Sequence, residues 1–284
     1  MIPAAFDYVA PETVDDAVRA LAEAGEDAKV LAGGQSLLPV LRMRLAAPST
    51  LVDLGKIAEL RGVREDGAAL VIGAMTTHYE VQRDPLVREH ALLIGLTTDT
   101  VADPQIRHRG TFGGSLAHAD PAGDLPAPVL ALDAEFVLAG PDGRRTVPAA
   151  EFFVDFFTTA LQPGEILVEV RVPKYTGWTA HYEKFNRVAQ AWSMVGVAAA
   201  LRTDGGTIAE ARVALTNMAA TPVRAGAVEQ ALVGAPATAE TIRAAAELAA
   251  EGTSPTADGN ADVAYRQHLA RVLTGRAVAA AAGA

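Results

Sequence analysis

The sequence predicts an α+β protein with a domain boundary near residues 175–180. Three observations carry that expectation. Short helical and strand-like segments alternate as far as Pro173. The stretch from Ala180 to Ala219 then reads as antiparallel strands around the turn "TDGGT". Beyond it come three helical segments, in a region whose apolar content after Ala198 is largely alanine. Together they predict a small sheet followed by a helical bundle.

Taken in order, "TVDDAVRALAEAG" has a capping threonine at Thr13, an acidic residue at Asp16, apolar positions at Val14, Ala17, Val18 and Leu21, and a closing glycine. That is a helix marked at both ends. "AKVLAGGQS" reads as a buried strand ending in a turn, after which helical spacing resumes through Leu37, Leu38, Val40 and Leu41. Pro39 suits a first helical turn, where its missing N–H leaves nothing unpaired. "STLVDLGKI" and "AALVIGAMTT" read as strands, and "TTHYEVQRD" as a short helix capped by Thr76 or Thr77. A single helical pattern runs from Pro85 to Val101, and another helix begins near Asp124. "PDG" joins two strand-like runs as a hairpin, and "GEILVEVRVP" is a further strand. The final helices are expected at Pro222–Gly234, Thr238–Gly252 and Asp262–Gly275, with "AVAAAAGA" as a fraying end.

Composition narrows the function. The 284 residues are 50% hydrophobic and 20% charged, with a formal charge of −10. This is a folded chain without the basic stripe a nucleic-acid binder needs. No apolar run approaches the roughly 18 to 20 residues of a membrane span, and the N-terminus shows no secretion signal, so a cytoplasmic location is expected. The chain has no cysteine, which excludes disulfides, a thiol nucleophile and Cys-ligated clusters within it. The six histidines form no HExxH or HxH pattern, so no metal site is expected.

Two glycine turns remain to be explained: Ala32, Gly33, Gly34, Gln35 and Ser36, and Thr111, Phe112, Gly113, Gly114 and Ser115. Backbone N–H groups on such turns can neutralise a phosphate without lysine, and glycine keeps the approach open. Ser36 and Ser115 can each cap a helix or bond a phosphate oxygen. Neither turn has GxGxxG or Walker spacing, and glycine pairs are common in strand-to-helix turns of any fold. Spacing alone does not name a ligand.

The ordered set "VLAGGQSLLPVLRMRL", "LVDL", "VIGAMTTH", "ADPQIRHRGTFGGSLAHADPAGDLPAPVLAL", "PGEIL" and "YEKFNR" resembles the FAD-binding medium subunits of aerobic, molybdenum-containing carbon monoxide dehydrogenases. These form the flavoprotein branch of the xanthine dehydrogenase family. The resemblance spans nearly the whole chain. It implies a two-subdomain FAD-binding domain of the vanillyl-alcohol-oxidase (PCMH-like) kind over 1–177. The small, parallel-stranded subdomain covers about 1–55 and a larger, mixed one covers 56–177. A C-terminal flavoprotein domain of a small antiparallel sheet and a helical bundle follows over 178–284.

By the same resemblance both glycine turns wrap the FAD pyrophosphate, Asp124 contacts the cofactor, Leu167 lies by the flavin and Lys184 lies near its polar edge. Each has a plainer alternative. Asp124 can cap the helix that follows, Leu167 can be core, and Lys184 can be a solvated strand residue. Trp192 can stack on the ring or sit in the core. Arg107, His108 and Arg109 read as a solvated or interface-facing patch, and His118 as a satisfied polar residue.

The resemblance implies an oxidoreductase subunit with no catalytic residue beyond the flavin. It implies an iron–sulfur small subunit with two [2Fe–2S] clusters and a large subunit carrying the molybdenum cofactor, assembled as a dimer of heterotrimers, a heterohexamer. Electrons would pass from FAD to a quinone or other acceptor, and peripheral attachment at the inner membrane face stays open. Two other readings remain: the same role in a related xanthine, aldehyde or N-heterocycle dehydrogenase, and a non-redox nucleotide-binding module.

Overall fold

A computed structural model describes residues 2–283. Its first sheet is parallel, in the order β1 (Asp7–Val9), β3 (Thr50–Asp53), β2 (Ala28–Leu31), with helices α1 (Val14–Ala24) and α2 (Leu37–Arg42) in the connections. Helix α1 starts where expected: the Thr13 hydroxyl accepts the Asp16 N–H, and Gly25 closes it at φ +73°. Its buried face of Val14, Ala17, Val18 and Leu21 joins Val52, Leu54 and Ile57 in one apolar cluster. Ile166 and Val168 of the next sheet belong to the same cluster, so the small subdomain has no core of its own. At about 1.5–3 kcal/mol per large buried apolar side chain, that shared core holds the two subdomains together.

The second sheet has the order β4 (Val63–Asp66), β5 (Ala69–Gly73), β10 (Ile166–Pro173), β6 (Glu135–Gly140), β7 (Gly143–Pro148). All its pairs are antiparallel, so the larger subdomain is not mixed in strand direction as expected. Between β5 and β6 lie α3 (His78–Arg83), α4 (Pro85–His90), α5 (Leu92–Asp99), α6 (Pro104–Arg107), α7 (Phe112–His118) and α8 (Pro126–Ala131). After β7 come α9 (Ala149–Phe152) and a small hairpin of β8 (Phe153–Asp155) and β9 (Thr158–Thr159). The single helix expected over 85–101 is two, because Ala91 leaves the helical region at φ −142°, ψ 48°. The "PDG" hairpin forms as expected, with Gly140 opposite Gly143 and the latter at φ +106°.

The third sheet, β11 (Thr179–Phe185), β12 (Val195–Asp204), β13 (Thr207–Thr216) and β14 (Val223–Arg224), is an antiparallel meander turning at Gly205–Gly206. Helices α10 (Gly226–Leu232), α11 (Ala239–Ala246) and α12 (Val263–Ala282) follow. Period-two alternation assigns the faces of β12. Val195, Val197, Ala199 and Leu201 join the apolar cluster that includes α12, while Ala198 and Ala200 join the cluster built on the second sheet and its helices. Small side chains there let helices lie against both faces of one sheet. The alanine tail does not fray: α12 continues through Gly275 to Ala282, with Ala277, Val278 and Ala281 buried.

Candidate functional site

The first glycine turn leaves the carboxyl end of β2, where a parallel sheet offers a crevice. Gly34 takes φ +78°. Among the described residues, no backbone or side-chain acceptor takes the N–H groups of Gly34, Gln35 and Ser36. Ser36 precedes α2 without capping it, so its hydroxyl stays available. Three successive N–H donors without a partner, beside an uncommitted hydroxyl, are the kind of donor set that binds a phosphate.

The second turn is differently built. Thr111, not Ser115, caps α7, its hydroxyl accepting the Gly114 N–H at 3.2 Å. The N–H groups of Phe112 and Gly113 go to the carbonyls of Thr76 and Ala74, both at 2.9 Å, and that of Ser115 to Thr111 O at 3.0 Å. This turn therefore has its first four N–H groups already partnered, and the Ser115 side chain is the donor it leaves uncommitted. The two turns touch. A Cβ on Gly33 would stand 2.3 Å from the carbonyl oxygen of Arg109, and one on Gly114 would stand 3.2 Å from the Cβ of Ala32. Gly113 likewise admits the backbone of Ala74. These glycines are required by chain-to-chain packing as well as by any ligand.

Asp124 does not cap a helix, because α8 begins at Pro126 with Leu125 before it. Asp124 is 5% exposed. Oδ1 accepts from the Tyr182 hydroxyl at 2.9 Å and the Ser193 hydroxyl at 2.7 Å, and Oδ2 accepts from Lys184 Nζ at 2.7 Å. Lys184 is therefore not a solvated strand residue; its ammonium also donates to Thr100 O at 3.1 Å. Burial, then the Asp124 charge, pushes the Tyr182 phenol well above its usual range, so it remains a donor. Tyr182 and Ser193 escaped the sequence reading, although Tyr182 lies two before Lys184 on a strand and must share its face.

Leu167 is buried on β10 opposite Leu138, beside an irregularity in the ladder between Leu167 and Glu169. Such a bulge re-aims a side chain. Trp192 is not core: it is 53% exposed, in the connection between β11 and β12. His118 closes α7 with its ring centroid 5.2 Å from that of Phe157, and burial lowers its pKa. Of the expected basic patch, His108 and Arg109 are exposed, with His108 stacked on Tyr79 at 3.9 Å. Arg107 is half-buried and donates to Val101 O at 2.8 Å. Among the described residues no carboxylate, histidine or cysteine cluster could hold a metal ion, and no helix is long and apolar enough to cross a membrane.

Comparison with known proteins names the class that this fold and site define. The pattern of the FAD binding domain in molybdopterin dehydrogenase matches residues 4–175, and that of the CO dehydrogenase flavoprotein C-terminal domain matches residues 180–281. The chain belongs to this family of FAD-binding oxidoreductase subunits. It is 43% identical to the carbon monoxide dehydrogenase medium chain of Hydrogenophaga pseudoflava, over 99% of this chain and 98% of that one. Among solved structures it resembles reconstituted CO dehydrogenase from Oligotropha carboxidovorans, with a TM-score of 0.96, 40% identity and coverage of 100% and 99% of the two chains. Quinoline 2-oxidoreductase from Pseudomonas putida 86 superposes as well, at a TM-score of 0.95 and 36% identity, covering 100% of this chain and 99% of that one.

Proposed function

We propose that this chain is the FAD-carrying electron-transfer subunit of a molybdenum hydroxylase acting on carbon monoxide. In that reading it receives electrons from a [2Fe–2S] subunit and passes them to a quinone or other acceptor. The observation that carries the reading is the arc of free N–H groups at Gly34, Gln35 and Ser36, set against the second glycine turn. Bound FAD supplies the conversion between two-electron and one-electron chemistry. The chain itself supplies binding and orientation. Ala32 to Ser36 would hold the pyrophosphate, with the second turn, Thr111 to Ser115, closing on it and the Ser115 hydroxyl donating to a phosphate oxygen. Leu167 would wall the ring, Lys184 would lie near its polar edge, and Asp124, which holds Lys184, would contact the cofactor.

With no cysteine, the chain holds no Cys-ligated cluster. A separate iron–sulfur subunit would deliver electrons from a large subunit bearing the molybdenum cofactor, the three forming a dimer of heterotrimers. We set the domain division at 177/178, a reading supported by the break between β10 and β11. The nearly as close superposition on quinoline 2-oxidoreductase supports a second reading, the same role beside an N-heterocycle hydroxylase.

The purified chain or its native complex should be yellow and release FAD on denaturation. The iron–sulfur subunit should be needed for substrate to bleach it. A fully assembled preparation unable to bind FAD would sink both readings. Bleaching by a heterocycle but not by carbon monoxide would select the second.

A further inference from the structure

Asp124 joins the two halves of the chain. It lies in the segment before α8, yet three of the groups that donate to its carboxylate come from beyond residue 177: Tyr182 and Lys184 on β11 and Ser193 just before β12. Neighbouring contacts brace the joint. The Asn217 side chain donates to Ser193 O at 2.8 Å, and the Asn217 N–H donates to Pro121 O at 2.9 Å. Thr216 lies 3.4 Å from the Tyr182 hydroxyl, whose one proton is committed to Asp124, so Thr216 is the donor in that pair.

A lysine ammonium on a four-carbon stem has little orientation of its own, and a carboxylate turns easily about its last torsion. Here both freedoms are removed. Two hydroxyls on Oδ1 select one carboxylate orientation, and hydrogen bonds to an ionised acceptor belong to the stronger class. Oδ2 is thereby left facing Lys184, which Thr100 O holds from the other side. Gly196, opposite Lys184 in the ladder, makes the geometry possible: a Cβ there would stand 2.3 Å from the Tyr182 hydroxyl oxygen.

We propose that Tyr182 and Ser193 are positioning residues for the flavin site: they lock Asp124 so that the Lys184 ammonium is held at one fixed point. The C-terminal domain thereby sets the charge the flavin ring experiences. This rests on the reading that the ring's polar edge lies by Lys184, where a fixed cation stabilises the anionic reduced ring.

The test uses the FAD-loaded protein and compares Tyr182→Phe, Ser193→Ala and Gly196→Ala with Lys184→Met. The two hydroxyl deletions should each raise the dissociation constant for FAD about tenfold, because an Asp124–Lys184 pair free to turn no longer meets the ring preorganised. All three should lower the flavin midpoint potential, in the direction of Lys184→Met. Gly196→Ala does so with every polar group intact, by displacing the Tyr182 hydroxyl. If the FAD-free chain melts earlier but affinity and potential stay at wild-type values, the hydroxyls only cement the domains and the proposal is overturned. Should Tyr182→Phe fail to fold, Ser193→Ala probes the same carboxylate oxygen from another segment. If Lys184→Met itself leaves the potential unchanged, what fails is the placement of the ring by Lys184.

Discussion

Gly33 rests against the peptide of Arg109, so close that a Cβ on Gly33 would stand 2.3 Å from the Arg109 carbonyl oxygen. The two glycine turns, far apart in sequence, are thus one structural unit.

Gly33→Ala should therefore lift the first turn from the second, lowering the melting temperature and raising the FAD dissociation constant more than tenfold. This differs from simple obstruction of a pyrophosphate, because the apo chain is expected to lose stability too. Gly205→Ala provides the contrast: φ is +55° but no atom lies within 4 Å of the new Cβ. It should cost about 1 kcal/mol and leave FAD affinity intact. Urea melts and flavin titrations of both variants check this. A Gly33→Ala chain as stable and as flavin-saturated as wild type would contradict the packing argument.

His78 lies under this unit, with its backbone N–H bonded to Gly110 O at 2.9 Å and its ring Nδ1 without a partner among the described residues. Burial, and secondarily the Arg107 charge, depress its pKa from 6.5 to about 4. The folded state thus prefers neutral histidine. Its contribution is fully present above pH 6.5 and is lost as the pH falls towards about 4. The loss amounts to about 3 kcal/mol in all. Urea midpoints of wild type and His78→Gln should converge between those two values. Parallel curves would show that His78 does not titrate there.

Arg266 on α12 is 2% exposed, donates to the Met194 carbonyl and lies 2.7 Å from Asp258 Oδ2. Burial alone would raise the Asp258 pKa. The Asn260 and Ala261 N–H groups and then Arg266 outweigh it, bringing the value from 3.8 down to about 2. Its stabilisation is present above 3.8 and disappears as the pH falls through about 2. Asp258→Asn should cost about 1–3 kcal/mol at neutral pH, below the usual range for a broken buried pair because Asp258 is partly solvated. Denaturation across that pH range should show the penalty vanishing in acid. A constant gap would assign it to packing instead.

Much of the architecture was legible in the sequence because its signals are local. Thr13 with Asp16, the "PDG" hairpin and the "TDGGT" turn each act over a few residues, and the structure keeps all three. Errors fell where distant packing decides. Ala91 breaks a helix that periodicity alone would continue, and the alanine tail is held by a sheet face that local composition does not reveal. Trp192 sits in an apolar-looking run, yet that run leaves the sheet between β11 and β12.

The sequence by itself determined which residue types could meet an anion: two glycine turns with hydroxyls, in a chain without cysteine. It carried the family in the order of its motifs. Only the tertiary structure decided how those residues divide the work. Local spacing cannot say that the second turn spends its N–H groups on Thr76 and Ala74 while the first keeps its own free. Nor can it say that Asp124 faces Tyr182, Ser193 and Lys184 rather than its own helix. The reason is physical. A buried donor or acceptor must find a partner somewhere, and which partner it finds is settled by the packing of segments far apart in the chain.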